Sequence, residues 1–294
     1  MKPNKTHYEA IDDFVHNTRS CHVSPRELIE RFVELQKLHK QLPMKDLVKR
    51  GWFQTPDLTS LALVFFGKPV AQTSTLFRKS ASAAQSLLTL WLAQARVKAE
   101  YACATNIPRS FTSLNKSQLR EIAGLSIDPM IVKILPAKLG DMGIILVYLP
   151  ALSGMKADGA VFKLSSGHPV VALSLRFPRL DYFWFTLMHE LAHIVLHADK
   201  LDQPIFVDVE TEEEAVAEKA ANKLAKDSFV ERSSWRNCEP KYQSGNEVVV
   251  KYAQEQGVHP SIIAGLLRRE SGNYARYAGI INEHNVRKIL SFHD

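Results

Sequence analysis

The sequence predicts an α+β protein: a helical N-terminal domain, a small mixed β-sheet, then helices to the end of the chain. Three patterns predict it. Apolar residues recur at helical spacing from about residue 24 to 102, short β-branched runs separated by Gly, Pro and Ser occupy 130 to 175, and long helical patterns return after 180. With 294 residues, 46% of them hydrophobic, the chain can fill two cores of ordinary domain size. The expected domains are 1–120, helical and basic, and 121–294, holding the sheet and the later helices.

In the first domain, Ser24 and Pro25 open a helix as N-cap and first residue, and Leu28, Ile29, Phe32, Val33, Leu35 and Leu38 give it an apolar stripe. Pro43 ends it. A short helix is expected over Met44 to Phe53, a third over Leu58 to Phe66 closed by Gly67, and a long fourth over Ala81 to Ala102. In the second domain, four short strands are expected: Met130 to Leu135, Gly143 to Leu149, Gly159 to Leu164 and Pro169 to Leu175.

The next element carries the chemistry. Residues 189 to 193 read His-Glu-Leu-Ala-His inside the apolar run Phe183 to Leu196. On a helix, His189 and His193 stand one turn apart on one face and can bind a single metal ion, with Glu190 beside them as general base. Chance placement of such a pattern in a chain of this composition is expected roughly 0.03 times. A hydrolytic zinc site needs a third protein ligand, expected on a helix packed against this one. From Thr211 the chain reads TEEEAVAEKAANKLAKDSF, a strong helix by propensity. Ala217, Ala220, Ala221, Leu224 and Ala225 form a small-residue face; Glu218 borders it, and Glu214, one turn earlier, is the second choice. Asn222, one turn after Glu218, can hydrogen-bond a ligand histidine from behind. His197 and Tyr182 are the candidate electrophiles for an oxyanion, with His168 a third by nearness in sequence. Arg176 and Arg179 precede the motif helix, where they can shape the approach to the site or pair with Asp181.

Together, the segments His168 to Arg176, Leu180 to His197 and Glu218-Lys-Ala-Ala-Asn222-Lys-Leu-Ala225 resemble the ImmA/IrrE family of bacterial and phage metallopeptidases. The likeness extends faintly to Val258-His-Pro-Ser-Ile-Ile-Ala-Gly265, covers about residues 125 to 290, and is specific around the three metal positions. The sequence departs from the family pattern at Leu224, where Phe is usual, and at Asp227-Ser-Phe-Val, where Leu-Leu-x-Pro is usual. The resemblance implies a zincin-like metallopeptidase domain, with Zn2+ held by His189, His193 and Glu218 and with Glu190 as catalytic base. A set of two His and one carboxylate also admits Mn2+ or iron. It further implies limited proteolysis of a transcriptional repressor or antitoxin, in stress response, phage induction or a toxin–antitoxin setting. The alternative of another class is a non-catalytic antitoxin-like or DNA-binding regulator that uses the fold as a sensor; Glu190 argues against it, since a metal scaffold needs no base.

Charge is unevenly spread. Residues 1–120 hold 18 of the 37 Lys and Arg but 9 of the 31 Asp and Glu, giving +9, and the remainder carries −3. A basic helical domain permits contact with DNA or with an acidic protein, and charge alone does not choose. A helix-turn-helix sought in Leu58 to Lys79 places Ala62 and Gly67 five apart instead of four, with Leu63 at the tight position, so protein docking is the preferred reading over DNA binding. The three cysteines, Cys21, Cys103 and Cys238, give neither a disulfide framework nor a zinc-ligand spacing. The longest apolar run is interrupted by the motif residues, and the first residues lack the apolar core of a signal peptide, so the expectation is a cytoplasmic protein.

Overall fold

The computed structural model of the chain describes residues 25–66, 83–106, 109–201 and 212–292. Ser24, Cys21, Gly67 and the later part of the 58–79 stretch lie outside the described residues. The described residues divide into two compact units, one within 1–97 with 152–156, the other within 98–151 and 157–294. The division falls at residues 97 and 98, whereas composition placed it at 120.

The first unit holds helix α1 (Pro25–Gln41), α2 (Met44–Lys49) and α3 (Leu58–Phe66), and the start of α4 (Ala83–Asn106). α1 packs against α3, and Leu35, Leu47 and Leu61 are fully buried. The helix break expected at Pro43 is there: Pro43 is the N-cap of α2, a place where its missing N–H costs nothing.

The second unit continues with α5 (Lys116–Gly124), opened by a capping box in which Asn115 and Gln118 bond each other's backbone N–H. The first expected strand, Met130 to Leu135, is helical instead. A 3-10 turn spans Pro129–Lys133 and α6 spans Leu135–Gly140. The physical reason lies at the boundaries: the Asp128 carboxylate accepts from Met130 N, Pro129 and Pro136 occupy first-turn positions, and these start signals override the β-branched composition.

The other three expected strands form one mixed sheet, β1 (Ile145–Tyr148), β2 (Gly159–Lys163) and β3 (Pro169–Leu173), in the order β1-β3-β2. β3 is central, parallel to β1 and antiparallel to β2, with every residue buried. That explains its unbroken apolar run, since both faces of the strand meet protein. Helix α7 (Leu180–His197) lies on the sheet, and α8 (Glu212–Phe229) and α11 (Pro260–Ser271) pack on α7. Between and after them come α9 (Arg232–Arg236), α10 (Asn246–Gln256), α12 (Ala278–Asn282) and α13 (Val286–Ile289). The architecture is α+β, with a zincin-like arrangement of small sheet, motif helix and ligand helix.

α7 divides its surface by spacing. Phe183, Trp184, Leu187, Met188 and Leu191 enter the core, while Tyr182, Thr186, His189 and His193, spaced four, three and four residues apart, form a stripe facing α8 and the end of β2.

Candidate metal centre

Three donor atoms converge where α7 crosses α8. His189 Nε2 and His193 Nε2 are 3.1 Å apart, and the two Glu218 carboxylate oxygens lie 3.1 Å from the first and 3.0 Å from the second. His193 and Glu190 are buried, and the His189 and Glu218 side chains retain 13% and 10% exposure, enough to meet a cleft. Donors on one tetrahedral Zn2+, at bond lengths of about 2.0–2.1 Å, stand roughly 3.3 Å from one another. The observed spacing is close to that. Two imidazole nitrogens meeting head-on over a carboxylate can share a proton poorly but can share a divalent cation well, so the residues fit the ion. α8 approaches this closely because Ala221 and Ala225, both buried, have little side chain to hold it away.

The three donors are electrostatically coupled. Burial opposes the charge on Glu218, but hydrogen bonds from His189 and His193 outweigh it and hold the carboxyl at about 2. Burial likewise opposes a charge on His189, and its bond to Glu218 overcomes this and raises its pKa; Asn222, which lines the cleft, adds a hydrogen bond that acts in the same direction. The Glu190 carboxyl is pushed up to about 8, first by burial, and then by the negative charges of Glu218 and Asp158 against the opposing pull of His189.

The cleft beside these donors holds about 400 Å³ and is bounded by α7, α8, α11 and the first residue of β2. Gly159, that first residue, packs directly against Glu190 and Thr186. A Cβ there would stand 2.7 Å from Glu190 Oε1 and 3.0 Å from Thr186 Cγ2. Across the cleft, Gly265 of α11 approaches Asp181 and Phe185 with the same economy, its Cβ position being 2.7 Å from Asp181 Oδ2. Asp181 is 2% exposed and pairs with Arg179, whose Nε donates to its Oδ1 at 2.9 Å.

Of the two expected electrophiles, Tyr182 lines the cleft, yet its hydroxyl donates to Asp158 Oδ2 at 2.7 Å, and burial followed by that carboxylate pushes its pKa up to about 12. His197 is at the far end of α7, with its ring 5.7 Å from that of His193, and does not line the cleft. His168 is at the β2–β3 turn, bonded to Ser166 at 2.9 Å and to Arg109 O at 3.2 Å, away from the site. Arg176 pairs with Asp158, its Nε donating to Oδ1 at 2.7 Å. The side chains of Glu212, Glu213 and Glu214 lie outside the described ones.

Sequence reasoning passed over Asp158, Gly159, Thr186, Gly265, Arg269 and Tyr274, all of which line the cleft. Asp158 and Gly159 carried one usable signal, an Asp-Gly step opening an apolar strand. Nothing local marked Arg269 or Tyr274.

No curated protein and no solved structure matches the chain significantly. A family model does match part of the chain: residues 140–264 are similar to Peptidase_M78, the IrrE N-terminal-like domain, and that segment, holding the whole sheet and all three converging donors, carries the site of a metal-dependent hydrolase.

Proposed function

We propose that the chain is a zinc endopeptidase that makes a limited cut in a transcriptional repressor or antitoxin and acts in the cytoplasm. The observation that carries the peptidase reading is the buried Glu190 carboxylate, set next to the three converging donors and at the wall of an open cleft. His189, His193 and Glu218 would hold a divalent ion, which would supply Lewis acidity toward a water molecule and a substrate carbonyl. Glu190 is the group placed to take a proton from an attacking water and pass it to the leaving amine. Gly159 leaves room for the Glu190 carboxylate, and the Gly159 end of β2, an edge strand, is assigned to strand addition by an extended substrate chain. Tyr182 lines the cleft with its hydroxyl donating to Asp158 and is kept as the candidate electrophile for the oxyanion. Manganese would serve the same donor set, and zinc is preferred for its match to two imidazoles and one carboxylate.

The repressor or antitoxin target rests on the likeness of the motif and ligand helices to the ImmA/IrrE pattern. A cytoplasmic setting agrees with the free thiols of Cys103 and Cys238. No helix among the described residues is long and apolar enough to cross a membrane. The basic N-terminal residues are assigned to docking of the protein target, with DNA as the alternative ligand.

The experiment is incubation of the zinc-loaded protein with a helix-turn-helix repressor or antitoxin encoded beside its gene, with cleavage read by mass spectrometry. Glu190→Gln is expected to lower the rate by roughly 10²–10⁴-fold while zinc content stays stoichiometric. Full activity in Glu190→Gln would remove the base from the mechanism. An intact target together with operator binding by the protein would favour the non-catalytic regulator.

A further inference from the structure

The cleft continues past Arg269. Phe185, Asn222 and Arg269 line both the cleft and an adjoining groove of about 570 Å³ between α8, α9 and α11. Six cationic side chains surround that groove, Lys223, Lys226, Arg232, Arg236, Lys241 and Arg269, with Glu270 as its one carboxylate. Glu270 lies 2.7 Å from Lys241 Nζ and 3.7 Å from Lys226 Nζ. The other four cations have no ion-pair partner among the described residues, and Arg269 is exposed at the junction with the cleft.

This charge is not a by-product of the domain's composition. Residues 121–294 carry 19 Lys and Arg against 22 Asp and Glu, so the groove is a strongly positive channel in a domain that is acidic as a whole. Like charges gathered along a concave wall focus a field and attract an anionic chain. A polypeptide fits better than a nucleic acid. Trp235, the groove's indole, is 4% exposed, its ring lies 5.1 Å from Lys226 Nζ and 4.9 Å from Lys241 Nζ, and its Nε1 donates to Glu270 at 2.7 Å. It offers no open face on which a base can stack, and single-stranded nucleic acids depend on such faces.

We propose that the substrate carries an acidic segment close to the scissile bond and that this groove receives it, with Arg269 contacting the first carboxylate. The proposal rests on the peptidase reading and names the substrate class that reading leaves open: a polypeptide with Asp or Glu clustered on one side of the cut. The cleft holds the bond to be broken, and the groove fixes the register.

The test uses the zinc-loaded full chain and peptide hydroxamates extended, on one side or the other of the chelating group, by a short run of Glu or of Gln. Affinities are read by calorimetry. The Glu extension on one side is expected to bind at least about tenfold more tightly than its Gln counterpart, as several partly exposed ion pairs allow, with the advantage shrinking as salt rises. In a variant combining Lys223→Gln, Arg236→Gln and Arg269→Gln, all at exposed positions, the Glu advantage disappears. Equal affinity for Glu and Gln on both sides, or an advantage that survives the triple variant, overturns the proposal. A Glu-rich peptide without a chelating group, read by fluorescence anisotropy on metal-free protein, separates the two ideas. If it binds while no hydroxamate does, the peptidase reading fails and the acidic-segment groove stands; if every hydroxamate binds alike and it does not, the reverse holds. Tight binding of oligothymidylate that the triple variant abolishes, with no Glu preference, assigns the groove to nucleic acid and overturns the acidic peptide.

Discussion

A side chain at Gly159 would collide with Glu190, because its Cβ position lies 2.7 Å from Glu190 Oε1 and 3.0 Å from Glu190 Cγ. The end of a carboxylate can swing aside, so Gly159→Ala is expected to fold, bind a divalent metal as the parent does and lose activity by roughly 10²-fold, the scale of a misplacement near one ångström. Metal analysis alongside kcat separates this from a damaged metal centre. His259 gives a second single-residue effect. It caps α11 with Nδ1 accepting from Ser261 N at 3.1 Å, while burial and then the nearby His284 push its pKa down to about 4, with Glu283 opposing. In the unfolded chain a histidine titrates at about 6.5. Between these values the unfolded state binds more protons, so His259 makes stability fall as pH drops from the upper value through the lower. His259→Asn keeps a side-chain cap and does not titrate; its denaturation midpoints are expected to decline less over that window than those of the parent.

At the scale of elements, α7 is held by the sheet and by α5, α8 and α11. The α11 contact depends on Gly265, whose missing side chain leaves room for Asp181 and Phe185. Asp181 cannot retreat easily, being buried and paired with Arg179. Gly265→Ala is therefore expected to destabilise the second unit by about 1–3 kcal/mol, the usual cost of overpacking, measured as a lower urea midpoint with unchanged slope. A further tie fixes the loop before α7: Leu175 has a positive φ of 49°, and Arg287 of α13 holds the loop by donating to Leu175 O at 2.8 Å and Arg176 O at 3.0 Å. Most of these elements were legible as local patterns. Three of the four expected strands occur, and the 130–135 run turned helical because Asp128, Pro129 and Pro136 are helix-start residues whose backbone preferences act before β-branching can.

At the scale of the whole molecule, metal binding and folding are coupled, because the three donors come from two helices and converge only when these pack. Zinc at a hundredfold excess over its dissociation constant is expected to stabilise the native state by about 2.7 kcal/mol. The melting temperature should rise on zinc addition and fall with chelator, and His193→Ala should flatten both responses; a chelator-insensitive melt in the parent would count against the site. The sequence by itself determined the local chemistry: the His-Glu-Leu-Ala-His spacing on a helix, the helix that carries Glu218 and Asn222, the three strands, and the surplus of positive charge before residue 120. These are legible because periodicity and capping act within a few residues. The tertiary structure alone decided which distant groups share a space: Asp158 with Tyr182 and Arg176, Gly159 against Glu190, and six cations of α8, α9, α11 and the segment following α9 around one groove. Such meetings depend on how helices cross a sheet, and no short stretch of sequence encodes that.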